Sequence, residues 1–286
     1  MLVCKLQGGL GNQFFEYATG YALAKSRNCK MLLDISSFNV NKLRKFELGD
    51  YSITSSTISE CMSAFLEKKM SLYNKLHIGE KYRTGIEKVS HVYQDLSNAR
   101  YLSGYYQHLD YFNNVRDELL REFTYDKDVL SDEERRFINE WTEYINNNES
   151  VMIHVRRTDY LKHKDVYNIL DESYYEASMR YIEEIIDNPV YIVFSDDIEW
   201  CKNQDIFNKR ENIKIVDSNE FNNPSIDMEL MRVCKYFIIA NSTYSWWGAY
   251  LSEKSRKVLI APKNWFVSDT RNKNIQDALL KDYIIV

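Results

Sequence analysis

The chain has 286 residues, of which 37 are Lys or Arg and 42 are Asp or Glu, so its formal net charge is −5. Hydrophobic residues make up 44% of it, and only 9 glycines and 3 prolines occur, which excludes collagen-like and intrinsically disordered chains. This length is sufficient for one large domain or for two smaller ones with buried cores. The mild acidity argues against a protein that binds duplex nucleic acid, because such proteins need a clustered basic surface.

The sequence lacks the patterns of secreted and membrane-spanning proteins. Its longest apolar runs, such as Val190–Phe194 and Tyr236–Ala240, have the length of a strand, whereas a membrane helix needs about 20 apolar residues. A glycine motif follows Met1 so closely that no room is left for a signal peptide. The five cysteines are scattered and include no Cys-x-x-Cys pair, a pattern typical of free thiols. We therefore expect a cytoplasmic protein.

The chain opens with a strand, a helix and a second strand. Leu2–Gln7 is a short apolar-rich run that ends at glycines, and the apolar residues of Phe14–Ser26 recur with nearly helical period. Lys30–Ile35 has the composition of a second buried strand. This order of elements is typical of an α/β layer fold.

A boundary between two halves is predicted near residue 148. Ser131 and Glu134 have the spacing of a capping box at a helix start. The helix behind them ends at the polar residues 146–148, and a new strand begins directly afterwards. We therefore predict two domains, residues 1–148 and residues 149–286.

The second half alternates between strands and helices. Strands are predicted over 151–155, Val190–Phe194, Ile213–Val216, Tyr236–Ala240 and Val258–Ala261, and helices over Glu172–Asp187, Met228–Lys235 and Ser245–Leu251. Alternation in both halves predicts an α/β protein with two Rossmann-like domains facing a cleft. In such sheets the ligand lies beyond the carboxyl ends of the strands, so the residues that follow each strand are the candidates for a site.

A glycine-rich loop, Gly8–Gln13, connects the first strand to the first helix. Glycines permit a tight turn and a close approach to a ligand, and a helix N-terminus favours an anionic or polar group. A plain strand-to-helix turn explains the loop equally well. A dinucleotide fingerprint is a third interpretation, because Asp34 ends the next strand where a ribose-binding acid would stand. Phe14 occupies the place of its third glycine, so a nicotinamide oxidoreductase is disfavoured.

Two arginines, Arg156 and Arg157, follow the strand over 151–155 in an otherwise acidic chain. Guanidinium groups suit a phosphate or diphosphate, which they bind in a bidentate manner. Adjacent side chains on a strand point in opposite directions, so we expect one of the two to contact the ligand. Asp159 orients that arginine, acts on the substrate, or forms a surface ion pair of about 0–1 kcal/mol. For His154, an inward-packed role is favoured over a catalytic one.

Asp196 and Asp197 follow Ser195 at the end of the next strand. Paired acids are found in metal sites, but these two are adjacent and no other acidic or histidine cluster completes a coordination shell, so no metal is predicted. A helix N-cap explains them equally well. A contact of one acid with a purine or ribose edge is the remaining interpretation.

A hydroxyl-rich stretch follows the strand over Tyr236–Ala240 and enters a helix N-terminus, an arrangement that favours phosphate. Its polar members are Asn241, Ser242, Thr243 and Ser245. Trp246 and Trp247 come next. The two indoles are predicted either to line a sugar-binding face or to belong to the core, and the core is favoured for Trp247.

Four motifs, in order along the chain, resemble those of the alpha-1,2-fucosyltransferases of glycosyltransferase family 11. They are GGLGNQ at 8–13 with Phe15, Tyr17 and Ala18; HVRR at 154–157 with Asp159 and Tyr160; FSDD at 194–197; and NSTYSWWGA at 241–249. One glycine loop alone would be unspecific, whereas four ordered motifs are specific. The second motif is shared more loosely with alpha-1,6- and protein O-fucosyltransferases.

The resemblance implies a GT-B-type fold, GDP-β-L-fucose as donor, and inversion to an alpha-1,2-linked fucose on a terminal galactose. The implied partners are GDP-fucose and a galactose-terminated oligosaccharide, with no metal or other cofactor. The N-terminal domain is expected on the acceptor side, and the C-terminal domain is expected to bind the donor. Acceptors in surface polysaccharide or O-antigen synthesis are lipid-linked, so we expect at most weak contact with a membrane surface. The residues assigned to the donor are Gly9, Gly11, Asn12, Gln13, Arg156, Arg157, Ser195, Asp196, Asp197, Asn241, Ser242, Thr243, Ser245 and Trp246.

The candidate catalytic residues come from the same motifs. Arg156 and Arg157 are expected to stabilise the departing GDP, and Asp159 is the first candidate for the base, followed by Glu16 and His154. Glu16 stands where the family usually has Gln, so it adds a carboxyl group near the glycine loop. A different GDP-fucose-dependent fucosyltransferase and a non-enzymatic sugar-binding protein are the alternatives.

Overall fold

The computed structural model describes residues 1–40, 44–75, 91–254 and 258–286. The chain folds into two compact units. The first consists of Met1–Asp126 with Asp277–Leu279, and the second of Lys127–Gln276 with Leu280–Val286. Within the described ranges, no helix combines the length and the hydropathy needed to cross a bilayer.

The first unit is built on a parallel four-stranded sheet in the order β3-β2-β1-β4. Its strands are β1 (Leu2–Lys5), β2 (Met31–Asp34), β3 (Ser56–Thr57) and β4 (Tyr101–Leu102). Its helices are α1 (Leu10–Ser26), α2 (Ser36–Val40), α3 (Glu60–Lys75) and α4 (Arg116–Glu122). The predicted strand-helix-strand opening is thereby confirmed.

Helix α1 carries the glycine loop and packs closely on the sheet. It begins at Leu10 rather than at the predicted Phe14, with Gly9 as its N-cap. Hydrophobic periodicity does not reveal this early start because the first turn, residues 10–13, contains a single apolar residue, Leu10. A Cβ atom at Gly20 would lie 2.6 Å from Met31 Sδ, so the absence of a side chain there allows the helix to approach β2.

The second unit is built on a parallel six-stranded sheet in the order β10-β9-β8-β5-β6-β7. Its strands are β5 (Glu149–Val155), β6 (Pro189–Ser195), β7 (Ile213–Ile215), β8 (Tyr236–Ile238), β9 (Leu259–Ala261) and β10 (Ile284–Ile285). The helices of this part of the chain are α5 (Asp132–Asn146), α6 (Glu172–Ile185), α7 (Ile198–Asn203), α8 (Asp205–Asn208), α9 (Pro224–Val233), α10 (Thr243–Tyr250) and α11 (Asp269–Leu279).

The strand order of this sheet reverses at β5. The chain proceeds outward from β5 through β6 to β7, and then returns to the other side of β5 as β8. This is the order of the six-stranded doubly wound dinucleotide fold. Ligands of such folds bind beyond the carboxyl ends of the strands on either side of the reversal. The residues that follow β5 and β8 therefore occupy the expected ligand position.

The unit boundary lies between Asp126 and Lys127, before the position near residue 148 that the sequence indicated. The capping box of α5 is present as predicted, with Ser131 and Glu134 each bonded to the other's backbone amide. However, α5 packs against α9 and β5. Its Phe137 ring lies 5.1 Å from that of Phe221, so the helix belongs to the second core and not to the first.

Candidate functional site

The guanidinium group of Arg156 lies between two carboxylates beyond the switch in strand order. Its Nη2 atom is 2.6 Å from Asp159 Oδ2, and its Nη1 atom is 3.3 Å from Asp196 Oδ2. Burial alone would raise the pKa of Asp196, but the charge of Arg156 and the hydrogen bonds that Asp196 accepts hold this pKa below its ordinary value. Arg156 follows β5 and Asp196 follows β6, so this ion pair connects the segments after the two strands.

Asp196 also holds the backbone that follows β5. Its Oδ1 accepts a hydrogen bond from the Arg157 amide at 2.9 Å, and its Oδ2 accepts from the Thr158 amide at 3.1 Å and from the Thr158 hydroxyl. Both carboxylate oxygens are therefore engaged within the protein. This arrangement fits a residue that positions the arginines rather than one that reads a ribose or purine edge.

Asp197 begins helix α7, as the N-cap interpretation predicted. Its carboxylate accepts a hydrogen bond from the Trp200 amide at 3.2 Å, and its own amide donates to Ser195 Oγ at 2.9 Å. Within the described ranges, no group of three or more His, Cys, Asp or Glu side chains is arranged to hold a metal ion.

Arg157 is held by a carboxylate and an aromatic ring. Its Nε atom is 3.4 Å from Asp197 Oδ2, and its Cζ atom lies 4.0 Å from the centroid of the Trp200 indole. A cation at this distance from an indole is attracted by the negative face of the ring. Sequence reasoning missed Trp200, although its position three residues after a helix N-cap places it in the first turn beside that cap.

His154 is packed inward, the favoured interpretation from the sequence. It is 3% exposed, its ring lies 5.8 Å from that of Tyr244, and its Nδ1 atom has no hydrogen-bond partner among the described residues. Burial, together with the charge of Arg156, lowers the pKa of His154 to about 3. The ring is therefore neutral near pH 7 and accepts protons poorly.

The hydroxyl groups at the start of α10 are mostly used by the helix itself. Ser242 is the N-cap and accepts a hydrogen bond from the Tyr244 amide at 3.3 Å. The fully buried Ser245 donates to the Ser242 carbonyl oxygen at 3.3 Å. Thr243, the third residue with a predicted phosphate-binding hydroxyl, is partly exposed.

The burial of the two indoles of α10 favours the core interpretation of Trp246 and Trp247. Trp246 is 1% exposed and stacks on Tyr250 with ring centroids 4.9 Å apart, and Trp247 is fully buried. Every residue of α10 from Ser245 to Tyr250 is buried. Both indoles therefore pack in the core, and only the first turn of α10, with Thr243 and Tyr244, is partly exposed.

A tyrosine links the two loops at the switch in strand order. The Tyr160 hydroxyl, after β5, donates to the Asn241 carbonyl oxygen, after β8, at 2.8 Å. The Tyr160 ring stacks on Tyr167 with centroids 4.2 Å apart. Asn241 in turn donates through Nδ2 to the carbonyl oxygens of Asn168 and Trp265 at 2.8 and 2.9 Å. These contacts fix both loops, and sequence reasoning had singled out neither Tyr167 nor Asn168.

The glycine loop of the first unit makes a tight turn under a basic side chain. Gly8 has a φ of +77°, a conformation that favours glycine. A Cβ atom at Gly9 would lie 3.5 Å from Arg44 Nη1, so the guanidinium of Arg44 lies close over this residue. Gly11 is buried in the first turn of α1. Asn12 accepts a hydrogen bond through Oδ1 from Gln107 Nε2 at 2.8 Å.

Gln13 is buried and connects two segments of the chain through hydrogen bonds. Its Nε2 atom donates to the carbonyl oxygens of Gly8 at 3.1 Å and Lys45 at 2.8 Å, and its Oε1 atom accepts from the amides of Glu47 and Leu48 at 3.1 Å each. The amide group therefore fastens residues 45–48 to the glycine loop. These contacts use its donors and acceptors within the protein, and its assignment to the donor stays a prediction.

Two buried acids lie close to the glycine loop. Glu16 is fully buried and accepts a hydrogen bond from the Gln7 amide at 2.7 Å. Burial raises the pKa of Glu16 well above its ordinary value, which favours the protonated form of this carboxyl group. Asp34 accepts hydrogen bonds from Ser63 Oγ at 2.8 Å and from the Tyr101 hydroxyl at 2.6 Å, which removes the expected ribose-binding acid of a dinucleotide site.

Arginines at the switch in strand order of a doubly wound sheet, beside a helix N-terminus, are typical of proteins that bind a nucleoside diphosphate group. The chain matches the family described as Glycosyl transferase family 11 over residues 1–286 and belongs to that family. It is therefore a glycosyltransferase, and the resemblance carried by its four motifs is confirmed.

Relatives with assigned activities support the same family. An alpha-1,2-colitosyltransferase of Escherichia coli is 31% identical over 283 residues, which cover 95% of this chain and 94% of the relative. Galactoside 2-alpha-L-fucosyltransferase Sec1 of Mus musculus is 26% identical over 262 residues, which cover 88% of this chain and 64% of the relative.

The fold also matches solved structures. The alpha-1,6-fucosyltransferase NodZ, in a crystal soaked with GDP-fucose, aligns with a TM-score of 0.51 and 12% sequence identity. The alignment covers 87% of this chain and 91% of NodZ. The predicted α/β fold of the GT-B type is thus confirmed.

Proposed function

We propose that the protein transfers L-fucose from GDP-β-L-fucose to the 2-hydroxyl of a terminal galactose, with inversion at the anomeric carbon. The observation that carries this proposal is the pair Arg156 and Arg157 beyond the end of β5, each held by an acid that follows β6. The proposal is supported by the relative named as a galactoside 2-alpha-L-fucosyltransferase and by the likeness to a fold crystallised with GDP-fucose.

In this proposal the second unit binds the nucleotide. Arg156 and Arg157 donate hydrogen bonds to the diphosphate, and the amides at the start of α10 with the Thr243 hydroxyl complete its surroundings. As the bond between sugar and diphosphate breaks, negative charge accumulates on GDP, and positioned N–H donors stabilise this charge. Asp196 and Asp197 act on the nucleotide only through the arginines that they hold.

The reaction is a single displacement. The oxygen of the acceptor hydroxyl forms a bond to the anomeric carbon on the side opposite to GDP, the bond from that carbon to the diphosphate oxygen breaks, and the electron pair leaves with GDP. A base removes the hydroxyl proton. In this proposal the glycine loop around Gly9, Gly11 and Asn12 binds the fucose or the acceptor. We propose no metal ion and no resident cofactor for this step.

Colitose is the second candidate for the transferred sugar. It is favoured by the relative named as an alpha-1,2-colitosyltransferase, which is 31% identical to this chain. Colitose is fucose without its 3-hydroxyl group, so the two donors differ by a single hydroxyl. A site that hydrogen-bonds this hydroxyl would reject colitose strongly, whereas a site that leaves it in solvent would accept both sugars.

The test is a donor panel with lactose as acceptor. GDP-fucose, GDP-colitose, GDP-mannose and UDP-galactose are compared with and without EDTA, and the product is identified by mass spectrometry and NMR. We expect an alpha-1,2-fucosylated product with GDP-fucose, in the same amount with EDTA. A product with GDP-colitose alone would contradict the proposed donor, and loss of activity in EDTA would contradict the proposed metal independence. Binding of glycans without GDP release would identify a sugar-binding protein instead.

A further inference from the structure

Strand β5 stays paired with β6 further along the chain than it stays paired with β8. The pairing with β8 ends at Ile153 and Ile238, whereas the pairing with β6 continues to Val155 and Ser195. In doubly wound sheets a crevice forms beyond the strand ends at this point, and it holds the ligand. The two groups proposed to bind the diphosphate follow its two strands, because Arg156 comes after β5 and the start of α10 comes after β8.

Tyr160 connects the two sides of this crevice. Its hydroxyl donates to the Asn241 carbonyl oxygen at 2.8 Å, and Asn241 directly precedes Ser242, the N-cap of α10. On the other side, the Cζ atom of Arg156 lies 5.8 Å from the centroid of the Tyr160 ring. At this distance a cation is attracted to the face of an aromatic ring. One side chain therefore contacts both the arginine and the residue before the helix cap.

The Tyr160 side chain is itself held by Tyr167. The two rings stack with centroids 4.2 Å apart and an angle of 9° between their planes. Tyr167 packs in turn against the buried Phe266, with ring centroids 5.7 Å apart. A side chain that is already ordered in this way costs little additional entropy when a ligand binds, which is the advantage of a preorganised site.

We propose that Tyr160 is a positioning residue that fixes the separation between Arg156 and the start of α10, and thereby gives the site its preference for a diphosphate. The inference rests on the proposed function. A diphosphate is held from both sides, by the guanidinium group at one phosphate and by the helix amides at the other. A monophosphate is held from one side only. A fixed separation therefore favours the diphosphate, because the monophosphate does not span it.

Tyr160 acts through its hydrogen bond rather than as an acid or a base. Burial raises the pKa of Tyr160 above the ordinary value of a tyrosine, although the charge of Arg156 opposes this rise. The hydroxyl therefore keeps its proton and remains a donor to Asn241 around neutral pH. The contribution of Tyr160 to nucleotide binding should accordingly be independent of pH in this range.

The test compares Tyr160→Phe with Tyr174→Phe as the matched control. Each variant removes a tyrosine hydroxyl that donates to a carbonyl oxygen in the segment after β8. Tyr160 donates to Asn241 at 2.8 Å, and Tyr174 donates to Ile239 at 2.6 Å. We therefore expect a similar fall in Tm for both variants. Isothermal titration calorimetry measures the Kd of GDP and the Kd of GMP for each protein.

The ratio of these two constants separates positioning from stability. We expect Tyr160→Phe to raise the Kd of GDP by about 3- to 10-fold, the equivalent of one neutral hydrogen bond, and to leave the Kd of GMP nearly unchanged. The preference for GDP over GMP should therefore fall in Tyr160→Phe from about pH 6 to pH 8, and kcat/KM for GDP-fucose should fall by the same factor. In Tyr174→Phe the preference should equal that of wild type.

Tyr167→Leu covers the case in which Tyr160→Phe does not fold. It removes the ring that orients Tyr160 but keeps the Tyr160 hydroxyl, and it should lower the same preference. A fall in Tm with an unchanged preference for GDP over GMP, in Tyr160→Phe or in Tyr167→Leu, would overturn the inference alone and leave a purely structural role. A wild-type protein that does not bind GDP would overturn the proposed function as well.

Discussion

Asp196 accepts a hydrogen bond from the backbone amide of Arg157 at 2.9 Å, although the two residues follow different strands. The same carboxylate forms an ion pair with Arg156. One acid beyond β6 therefore sets both the backbone and the charge of the loop beyond β5. The positions of the two arginines therefore depend on the residues after both β5 and β6, and not on the loop after β5 alone.

Replacing Asp196 should therefore damage donor binding. Asp196→Asn keeps the size of the side chain but removes its charge and one of its two acceptor oxygens. Hydrogen bonds to charged groups contribute about 1.5–3 kcal/mol each, so we expect kcat/KM for GDP-fucose to fall by about 10- to 100-fold. Steady-state kinetics with varied donor measure the effect. Asp171→Asn, which removes the acid that accepts from Ser173 at the start of α6, is the control and should cost stability only. Unchanged donor kinetics in Asp196→Asn would refute this role.

The indole beneath Arg157 should matter to catalysis. A cation over an indole gains about 0.5–2 kcal/mol, so Trp200→Ala should raise KM for GDP-fucose by about 2- to 30-fold. Trp200→Phe keeps an aromatic face and should recover most of the loss. Arg157→Lys keeps the charge but loses the planar donor group, and should be impaired as well. Wild-type kinetics in both Arg157→Lys and Trp200→Ala would show that neither the planar group nor its stacking contributes.

Glu16→Gln should improve stability at alkaline pH without lowering activity. Because burial holds the pKa of Glu16 well above its ordinary value in the folded protein, folding favours the protonated form. The stability associated with this group is fully present below the pKa of the unfolded chain and is lost as the pH rises through the folded pKa. Thermal unfolding at about pH 5 and pH 8 should show a larger gain in Tm for the variant at the higher pH. An activity loss on the scale expected of a base would restore Glu16 as a candidate.

Asp227 provides a second test of how a buried acid with a raised pKa makes stability depend on pH. It accepts a hydrogen bond from Ser218 at 2.6 Å, and burial raises its pKa to about 6, with a further contribution from the charge of Asp217. The wild-type protein should lose stability as the pH rises from about 4 to 6, the interval between the unfolded and folded pKa values. Asp227→Asn should unfold at a higher Tm than wild type near neutral pH, with little difference below about pH 4. Asp217→Asn should reproduce part of this gain by removing the like charge.

Most of the second sheet could be predicted because its strands are continuous apolar runs. Pro189 marks the start of β6, and the capping box at Ser131 marks the start of α5. The two-residue strands β3, β4 and β10 carry too few residues for a periodic signal. The start of α9 at Pro224, rather than at the predicted Met228, depends on the cap from Asn223 and on a proline in the first turn.

The positions of the charged residues could be predicted, but their partners could not. Arg156, Arg157 and the two acids after β6 could be predicted as site residues because they directly follow strands. The carboxyl ends of parallel strands meet at one edge of the sheet. The contact between Arg157 and Trp200 depends on the direction in which α7 leaves β6. The hydrogen bond from the Glu47 amide to Gln13 joins segments far apart in sequence. The burial of Trp246 could not be predicted either, because hydrophobic periodicity does not distinguish the two faces of a mostly apolar helix such as α10.

The carboxylates that pair with Arg156 and Arg157 also offset the positive electrostatic potential of these arginines. Around the loop beyond β5, the two guanidinium groups of Arg156 and Arg157 face the three carboxylates of Asp159, Asp196 and Asp197, one negative charge in excess. A site with this slight excess of negative charge does not draw polyanions from a distance, because long-range steering depends on net charge. It discriminates at short range, by directed N–H donors. Nucleotide capture should therefore be slow compared with steered association and nearly independent of ionic strength, and free inorganic phosphate should compete weakly for the site.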